Sequence, residues 1–290
     1  MLDARYQTFL VLSQTLSYTQ TAHRLYITQP AVTQQIKSLE AELDVQLVSY
    51  QRPHLTVTSA GTELAAFVQR VQVEADKLVT GLRTPQGRQS LTFSTTLSLS
   101  EFLAPRLIQT IQAATALRQI NCQVTNTRTA LTAIDQGTSD FALIEGNFDK
   151  QRYDYRVVRQ EPFVGVVAST SDLVGQTMVS WRDLIDQPLL IRELGSGSRD
   201  ILISLAQAAN VDLADFKQVI TVNNPAAIRQ LLLRNVGVSF VYRSVVADEL
   251  ADGRLHELPL AAGTVIHDLA LVYAKDSFFA SDYQRWAQKL

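Results

Sequence analysis

Gln29, Thr33, Gln34 and Lys37 fall on one side of a helix, and their side chains are of the kind that reads a DNA duplex. A glutamine amide pairs with the edge of adenine. A threonine hydroxyl serves a base or a phosphate while its methyl touches thymine, and lysine suits phosphate or guanine. Val32, Ile36, Leu39 and Leu43 recur at helical spacing on the other side and face a core. An ordinary amphipathic helix with a solvated polar face fits the periodicity equally well.

Two hydroxyl-rich loops further along suit a small anion. In Thr95-Thr96-Leu97-Ser98-Leu99-Ser100 a strand ends in hydroxyls just before a helix near Glu101, so donors meet a helix N-terminus. In Arg192-Glu193-Leu194-Gly195-Ser196-Gly197-Ser198-Arg199 a strand end, a glycine-rich turn and a helix start offer N–H and hydroxyl groups to a carboxylate or similar oxyanion. Either loop alone reads more readily as caps and turns than as a site. Asn147, just past a strand at 140–145, adds an amide, and Asn223-Asn224-Pro225 reads as a helix cap. Catalysis leaves no comparable pattern. His23, His54, His256 and His267 lie outside metal-ligand spacing, and HExxH, GxSxG, GxxxxGKS and GxGxxG are all absent. No histidine is placed by sequence to activate Ser196, so the chain reads as a non-enzyme that needs neither metal nor cofactor.

The DNA-facing set must be held by a helix pair. Thr19 is placed to cap the first helix and Thr28 the second, with Pro30 in the first turn, where its missing N–H costs nothing. Tyr6, Phe9, Leu10 and Leu12 give the opening segment an apolar face to pack beneath the pair. Residues 48–57, short and proline-containing with an alternating end, read as a β-wing.

Phe9, Ser17, Ala22, Leu25, Gln29-Pro30-Ala31-Val32-Thr33, Gln35-Ile36, Leu39-Glu40, Leu43, Leu47 and Thr58-x-Ala60-Gly61 form a dense, ordered set. With them this region resembles the N-terminal signature of LysR-type transcriptional regulators. Thr21 replaces the family's usual Ala, Asp44 its Gly, and Val48 and Tyr50 its wing Phe and Arg; Arg52 lies close enough to take over the lost backbone contact. The DNA-binding set is therefore Thr19, Gln29, Pro30, Ala31, Thr33, Gln34, Lys37 and Arg52.

Charge qualifies that reading. Residues 1–60 hold Arg5, Arg24, Lys37 and Arg52 against Asp3, Glu40, Glu42 and Asp44, so one copy grips phosphate weakly and several copies must act together. The next segment supplies a means. Leu64, Val68, Val71, Ala75, Leu78 and Leu82 step by four and three in a proline-free run, an a/d seam for pairing with a second chain. The competing reading is a long amphipathic helix packed on its own domain. Thr84-Pro85-Gln86-Gly87 then marks a hinge.

Beyond the hinge, short apolar strands (91–96, 120–125, 140–145, 155–159, 163–168, 189–192, 218–222, 237–242, 269–273) alternate with helices near 101–116, 128–136, 199–209, 225–235, 243–252 and 277–288. The alternation predicts parallel α/β sheets. The family resemblance implies the complete architecture: a winged helix-turn-helix at 1–58, a linker helix and hinge at 59–88, and a periplasmic-binding-protein-like effector domain at 89–290. Its subdomain I is 89–161 with 267–290, and subdomain II is 162–266. It also implies antiparallel linker dimers, a homodimer or homotetramer on an interrupted palindrome of double-stranded DNA, and contact with RNA polymerase. The same resemblance implies a small, anionic effector in one cleft lined by Thr96, Ser98, Ser100, Asn147, Gly195, Ser196, Gly197 and Ser198. These loops resemble those of regulators of cysteine metabolism and carbon fixation, with Ser100 where that branch has Gly.

With 290 residues, 46% hydrophobic and 19% charged, the chain has room for two or three packed units. Its start lacks a basic segment followed by an apolar run, and no stretch reaches the length of a membrane span, so a cytoplasmic protein is expected. The single cysteine, Cys122, sits in a strand-like run and reads as a structural thiol, which excludes an internal disulfide. A solute-binding protein of a transport system is the alternative. It suits the C-terminal region but leaves the first ninety or so residues unused.

Overall fold

Capping hydroxyls set the limits of the N-terminal helices. In the computed structural model, which describes residues 3–51, 54–83, 90–261 and 263–290, α1 (Ala4–Thr15) is followed by α2 (Tyr18–Leu25) and α3 (Gln29–Leu43). Ser17 Oγ accepts the Gln20 N–H at 3.3 Å and begins α2, so the cap expected of Thr19 falls to Ser17 and Thr19 is an exposed residue of the first turn. Thr28 does cap α3, accepting from Ala31 N at 3.4 Å. Asp44 ends α3 at φ 52°, a left-handed position that a short polar residue tolerates in place of glycine.

Phe9, Leu12, Ala22, Val32, Ile36, Leu39, Leu47 and Leu55 form the buried core of this unit. Each large aliphatic side chain contributes about 1.5–3 kcal/mol by leaving water. Leu43 does not join them: α3 ends there, its last turn overhangs the core, and the side chain is exposed. Thr21 is fully buried, but its hydroxyl donates to Ser17 O at 2.8 Å and meets the Thr15 hydroxyl at 2.7 Å, so the departure from Ala leaves no unsatisfied group. Across the pair, Thr8 donates to Gln35 Oε1 at 2.5 Å.

β1 (Val48–Gln51) and β2 (His54–Val57) form the expected antiparallel hairpin, held at its base by Glu40, whose Oε1 accepts from Leu47 N at 2.8 Å and Val48 N at 3.2 Å. α4 (Ser59–Arg83) then leaves the hairpin through a tight corner. Thr58 Oγ1 donates to Gln46 O at 2.8 Å and accepts from Gly61 N at 3.0 Å. A Cβ on Gly61 would lie 2.1 Å from Leu47 O and 2.7 Å from Val57 Cγ1. Gly61→Ala is therefore expected to destabilise the N-terminal unit by about 2–3 kcal/mol, as overpacking against rigid neighbours does. A urea midpoint for that unit within experimental error of wild type would contradict this packing.

The chain falls into two compact units, 1–89 with 135–138 and 90–134 with 139–290. The second is built on β3 (Ser90–Thr96), α5 (Leu97–Ser100), α6 (Ala104–Ala114), β4 (Gln119–Thr125), α7 (Thr127–Asp135), β5 (Phe141–Ile144) and β6 (Tyr153–Ala168). It continues with α8 (Trp181–Leu184), β7 (Pro188–Ile191), α9 (Gly197–Ala208), β8 (Gln218–Thr221), α10 (Pro225–Leu232) and β9 (Val238–Tyr242). α11 (Ala247–Ala251), β10 (Leu255–Glu257), β11 (Val265–Ala274) and α12 (Ala280–Ala287) complete it.

The strands run in the order β4-β3-β5-β11-β6-β9-β7-β8, with β10 on β6. β3 is parallel to β4 and β5, and β7 to β8 and β9, as the alternation predicts. The centre differs. β11 is antiparallel to β5 and β6, and β6 to β9, so the sheet is mixed rather than parallel throughout. The strands expected at 155–159 and 163–168 are one strand, β6, which pairs with β11 as far as Phe163 and takes up β9 from that residue onward. Pro162 sits at this change of partner, where the N–H that proline lacks is not needed by β9.

The helix expected at 101–116 is α6, Ala104–Ala114, with Pro105 in its first turn, and the short α5 precedes it within the hydroxyl-rich loop. Side chains alternate across the sheet. Phe141 and Leu143 join the cluster containing Phe93, Tyr283 and Trp286, and Phe93 stacks on Phe141 at 5.3 Å. Ala142 and Ile144 pack instead with Ala130 and Ile134 of α7. Among the described residues, no helix is long and apolar enough to cross a membrane.

Candidate functional site

On α3, Gln29, Pro30, Gln34 and Lys37 are exposed, and Ala31 and Thr33 are half-buried. Thr33 Oγ1 donates to Gln29 O at 3.1 Å, which fixes its rotamer. Thr19 stands on α2, exposed, apart from this row. Arg52 lies outside the described residues. Sequence reasoning missed Tyr26: the turn between α2 and α3 holds it at φ 55° with 96% of its surface exposed, beside the start of the polar row. Arg5, counted among the bases available to phosphate, is paired with Asp3 at 2.8 Å and Glu42 at 2.6 Å, and its guanidinium also reaches Ser38. That leaves Arg24 and Lys37 as exposed bases of the described helix pair.

Along α4 the seam changes character. Leu64 packs on the core of its own unit and Val68 is buried, Val71 and Ala75 are half-buried, and Leu78 and Leu82 are exposed, the latter by 77%.

In the second unit, the strand ends of β3, β5 and β7 bring together residues far apart in sequence. Glu145, directly after β5, is fully buried and accepts a hydrogen bond from Thr96 Oγ1. Burial pushes its carboxyl up, opposed by the hydroxyls of Thr96 and Ser98 and the charge of Arg192. Arg192, directly after β7, is also buried. Its Nε and Nη2 donate to the two oxygens of Glu193 at 2.8 and 3.1 Å, and its Nη1 points at Ser98 Oγ, 3.5 Å away. Burial opposes the charge on Glu193, but the hydrogen bonds and charge of Arg192 outweigh it and hold that carboxyl below its usual range.

The glycine-rich loop closes on these strand ends. Gly197 N donates to Thr127 Oγ1 at 3.2 Å, and Thr127 Oγ1 donates to Glu145 O at 3.2 Å. Gly195, at φ 91°, accepts from Arg128 N at 3.1 Å. Ser196 and Ser198 are buried and share a hydrogen bond at 2.9 Å. Asn224 caps α10, as the sequence indicates, accepting from Ala226 N at 2.8 Å.

Ser98, Arg192, Ser198 and Tyr242 provide the polar lining of a small cavity completed by Pro225, Ile228, Phe240, Val241 and Val245. Its volume is about 10 Å³, room for one water in this conformation. The Tyr242 hydroxyl is buried and, among the described residues, has no hydrogen-bond partner. Burial, then the carboxyls of Glu145 and Glu161, push it well above the usual phenol range, so it stays a neutral donor. Of the residues expected to bind an effector, Ser98 and Ser198 line the cavity and Thr96, Ser196 and Gly197 lie in the shell behind it. Ser100 turns its hydroxyl onto Leu97 O at 2.8 Å, and Asn147 is exposed. Arg192, Tyr242 and Glu145 were missed. The available signal is a charge ending an apolar strand, Phe-Ala-Leu-Ile-Glu145 and Leu-Leu-Ile-Arg192. Among the described residues, no cluster of His, Cys, Asp or Glu could hold a metal.

Two family models match the chain: "Bacterial regulatory helix-turn-helix protein, lysR family" over residues 4–62 and "LysR substrate binding domain" over residues 83–290. An uncharacterized HTH-type transcriptional regulator of Mycobacterium tuberculosis is 27% identical over 277 residues, 92% of this chain and 89% of the relative. The transcriptional regulator CbbR of Rhodospirillum rubrum is 28% identical over 252 residues, 86% and 82% of the two chains. In fold, the chain is similar to the crystal structure of ArgP from Mycobacterium tuberculosis, with a TM-score of 0.72 at 14% identity, covering 99% of this chain and 96% of that one. The reading head, the mixed α/β unit and both matched family models lead to one assignment: the chain belongs to the LysR family of DNA-binding, effector-responsive transcriptional regulators.

Proposed function

We propose that this regulator reads an interrupted palindrome in the cytoplasm as a dimer of dimers and responds to a small anion in the cleft between β3 and β7. The observation that carries the DNA half is the exposed row Gln29, Pro30, Gln34 and Lys37 on a helix whose opposite face is locked into a core. Two such helices, presented one turn of the duplex apart, fit successive major grooves. Gln29→Ala is expected to weaken operator binding by about 1–3 kcal/mol, the worth of a bidentate base contact, with little change on unrelated DNA. Fluorescence anisotropy with operator and scrambled duplexes measures both. Equal losses on the two duplexes would remove Gln29 from base reading.

The effector half rests on Arg192. A buried guanidinium with one nitrogen directed into a cavity, flanked by Ser98, Ser198 and the unpartnered Tyr242 hydroxyl, is a donor set for an oxyanion. An organic acid is larger than the present cavity, so its entry parts the cleft where Arg192 meets Ser98 and where Arg229 of α10 pairs with Glu101 at 3.2 Å. A ligand that favours one such arrangement shifts the dimers between states, with altered DNA bending and contact with RNA polymerase. Residues 89–161 with 267–290 and 162–266 serve as the two halves of the cleft, and the seam of α4 pairs the chains.

A further inference from the structure

We propose that an oxyanion entering the cleft is taken up together with a proton, and that Glu145 carries that proton. The inference rests on the effector reading of the cleft given above. Its basis is the crowding of acids around one buried cation. Arg192 already gives two nitrogens to Glu193, and its charge also acts on Glu145, which Thr96 and Ser98 hold by hydrogen bonds. An anion at the remaining nitrogen, Nη1, makes three negative groups around a single guanidinium, and like charges in a site without water cannot all persist. Glu193 keeps its charge: it is partly exposed and bonded to Arg192 through both oxygens. Glu145 is the group that yields, because it is buried and its side chain is bonded by the neutral hydroxyls of Thr96 and Ser98 and by its own backbone N–H rather than by a guanidinium.

Every element packed around Glu145 agrees with this assignment. From β3 and α5 it meets Thr96 and Ser98; from α7, Thr127, which bonds its backbone oxygen; from the end of β7, Arg192. From α9, Gly197 approaches its backbone, and from β9 Tyr242 stands within its field, with Glu161 beyond as the next carboxyl felt by that phenol. Arg192 is therefore the one cation among these groups. Burial already holds the Glu145 carboxyl above its usual range against the Thr96 hydroxyl and the charge of Arg192, so a weaker field from Arg192 shifts it further toward the protonated form. The proton comes from bulk solvent, forms an O–H bond on Glu145, and breaks no other bond.

The linkage has a definite sign. A group that gains a proton on binding makes affinity rise as pH falls, by at most about tenfold per pH unit above the pKa of the free carboxyl. Sulfate is a suitable probe because it does not itself titrate between pH 6 and 9. Calorimetric titration of the full chain with sulfate at constant ionic strength, in two buffers of different ionisation enthalpy, counts the protons taken up. Wild type is expected to take up between a half and one proton per site on the alkaline side and to weaken several-fold from pH 7 to pH 8.5. Glu145→Gln, neutral at every pH, is expected to take up none and to bind with a flat pH profile. Sulfate that binds wild type with no proton uptake and a flat profile overturns the inference while leaving the cleft reading standing, and this measurement needs no variant. Binding that survives Arg192→Met unchanged, or no binding at any pH, overturns the cleft reading and this inference with it.

Discussion

Replacing Leu78 and Leu82 together by glutamate is expected to break the pairing of chains through α4 and to lower the affinity for a two-site operator by about 10²-fold or more, the size of effect lost with bivalency. The reasoning begins with the weak grip of one copy. Arg5 is spent on Asp3 and Glu42, so the helix pair offers few cations to phosphate. Affinity must then come from linking two reading heads, and α4, 25 residues long, is the element that leaves the head with apolar residues uncovered. Its first seam residues are committed within their own unit, whereas Leu78 and Leu82 end the helix exposed. Two carboxylates there cost little in a free monomer and oppose burial against a second copy. Light scattering after size exclusion, with anisotropy on one-site and two-site duplexes, checks both consequences. A double variant whose assembly is the same size as that of wild type moves the pairing surface elsewhere.

Gly197→Val is expected to cost the second unit about 4 kcal/mol, the sum of overpacking and two displaced hydrogen bonds. A Cβ at this position would stand 2.3 Å from Glu145 O and 2.9 Å from Thr127 Oγ1. Those atoms belong to the chain of bonds Gly197 N to Thr127 Oγ1 to Glu145 O that ties α9, α7 and β5 at the strand ends. Neither backbone can yield easily, since Glu145 follows a strand buried on both faces. For a unit of this size the transition should fall by on the order of 10 °C, with loss of effector binding and retention of basal DNA binding. A calorimetric trace in which the second unit melts within about 2 °C of wild type would falsify the packing account, given the usual sensitivity of Tm to stability.

The reading head was legible because its signals are local. Val32, Ile36 and Leu39 mark a helical face at fixed spacing, and Thr28 with Pro30 marks its start. The errors there are errors of ends: Ser17 caps in place of Thr19, and Leu43 lies one turn past the core. In the second unit the strands were legible and their partners were not. Parallel pairing was inferred from alternation, but β6 and β11 are joined antiparallel by contacts more than a hundred residues apart, which no local pattern encodes. The cleft failed for the same reason. Hydroxyls and glycines drew attention to both loops, whereas Glu145 and Arg192 acquire meaning only when β3 lies beside β5 and β7 is folded against them. A buried charge looks ordinary in sequence until its neighbours are known.

The shared pair of strands, β6 and β11, also limits what kind of movement the effector unit can make. They run together from Tyr153 opposite Ala274 to Phe163 opposite Val265, with one register shift at Leu269 and Ala270. A hydrogen-bonded ribbon of that length resists stretching and sliding, since either breaks ladder bonds in sequence, while twisting and bending at the shift break few. The parts on either side must therefore swing as on a torsion bar. Displacement grows with distance from the bar, so a ligand that alters contacts close to it moves the outer surfaces of the unit further than the site itself.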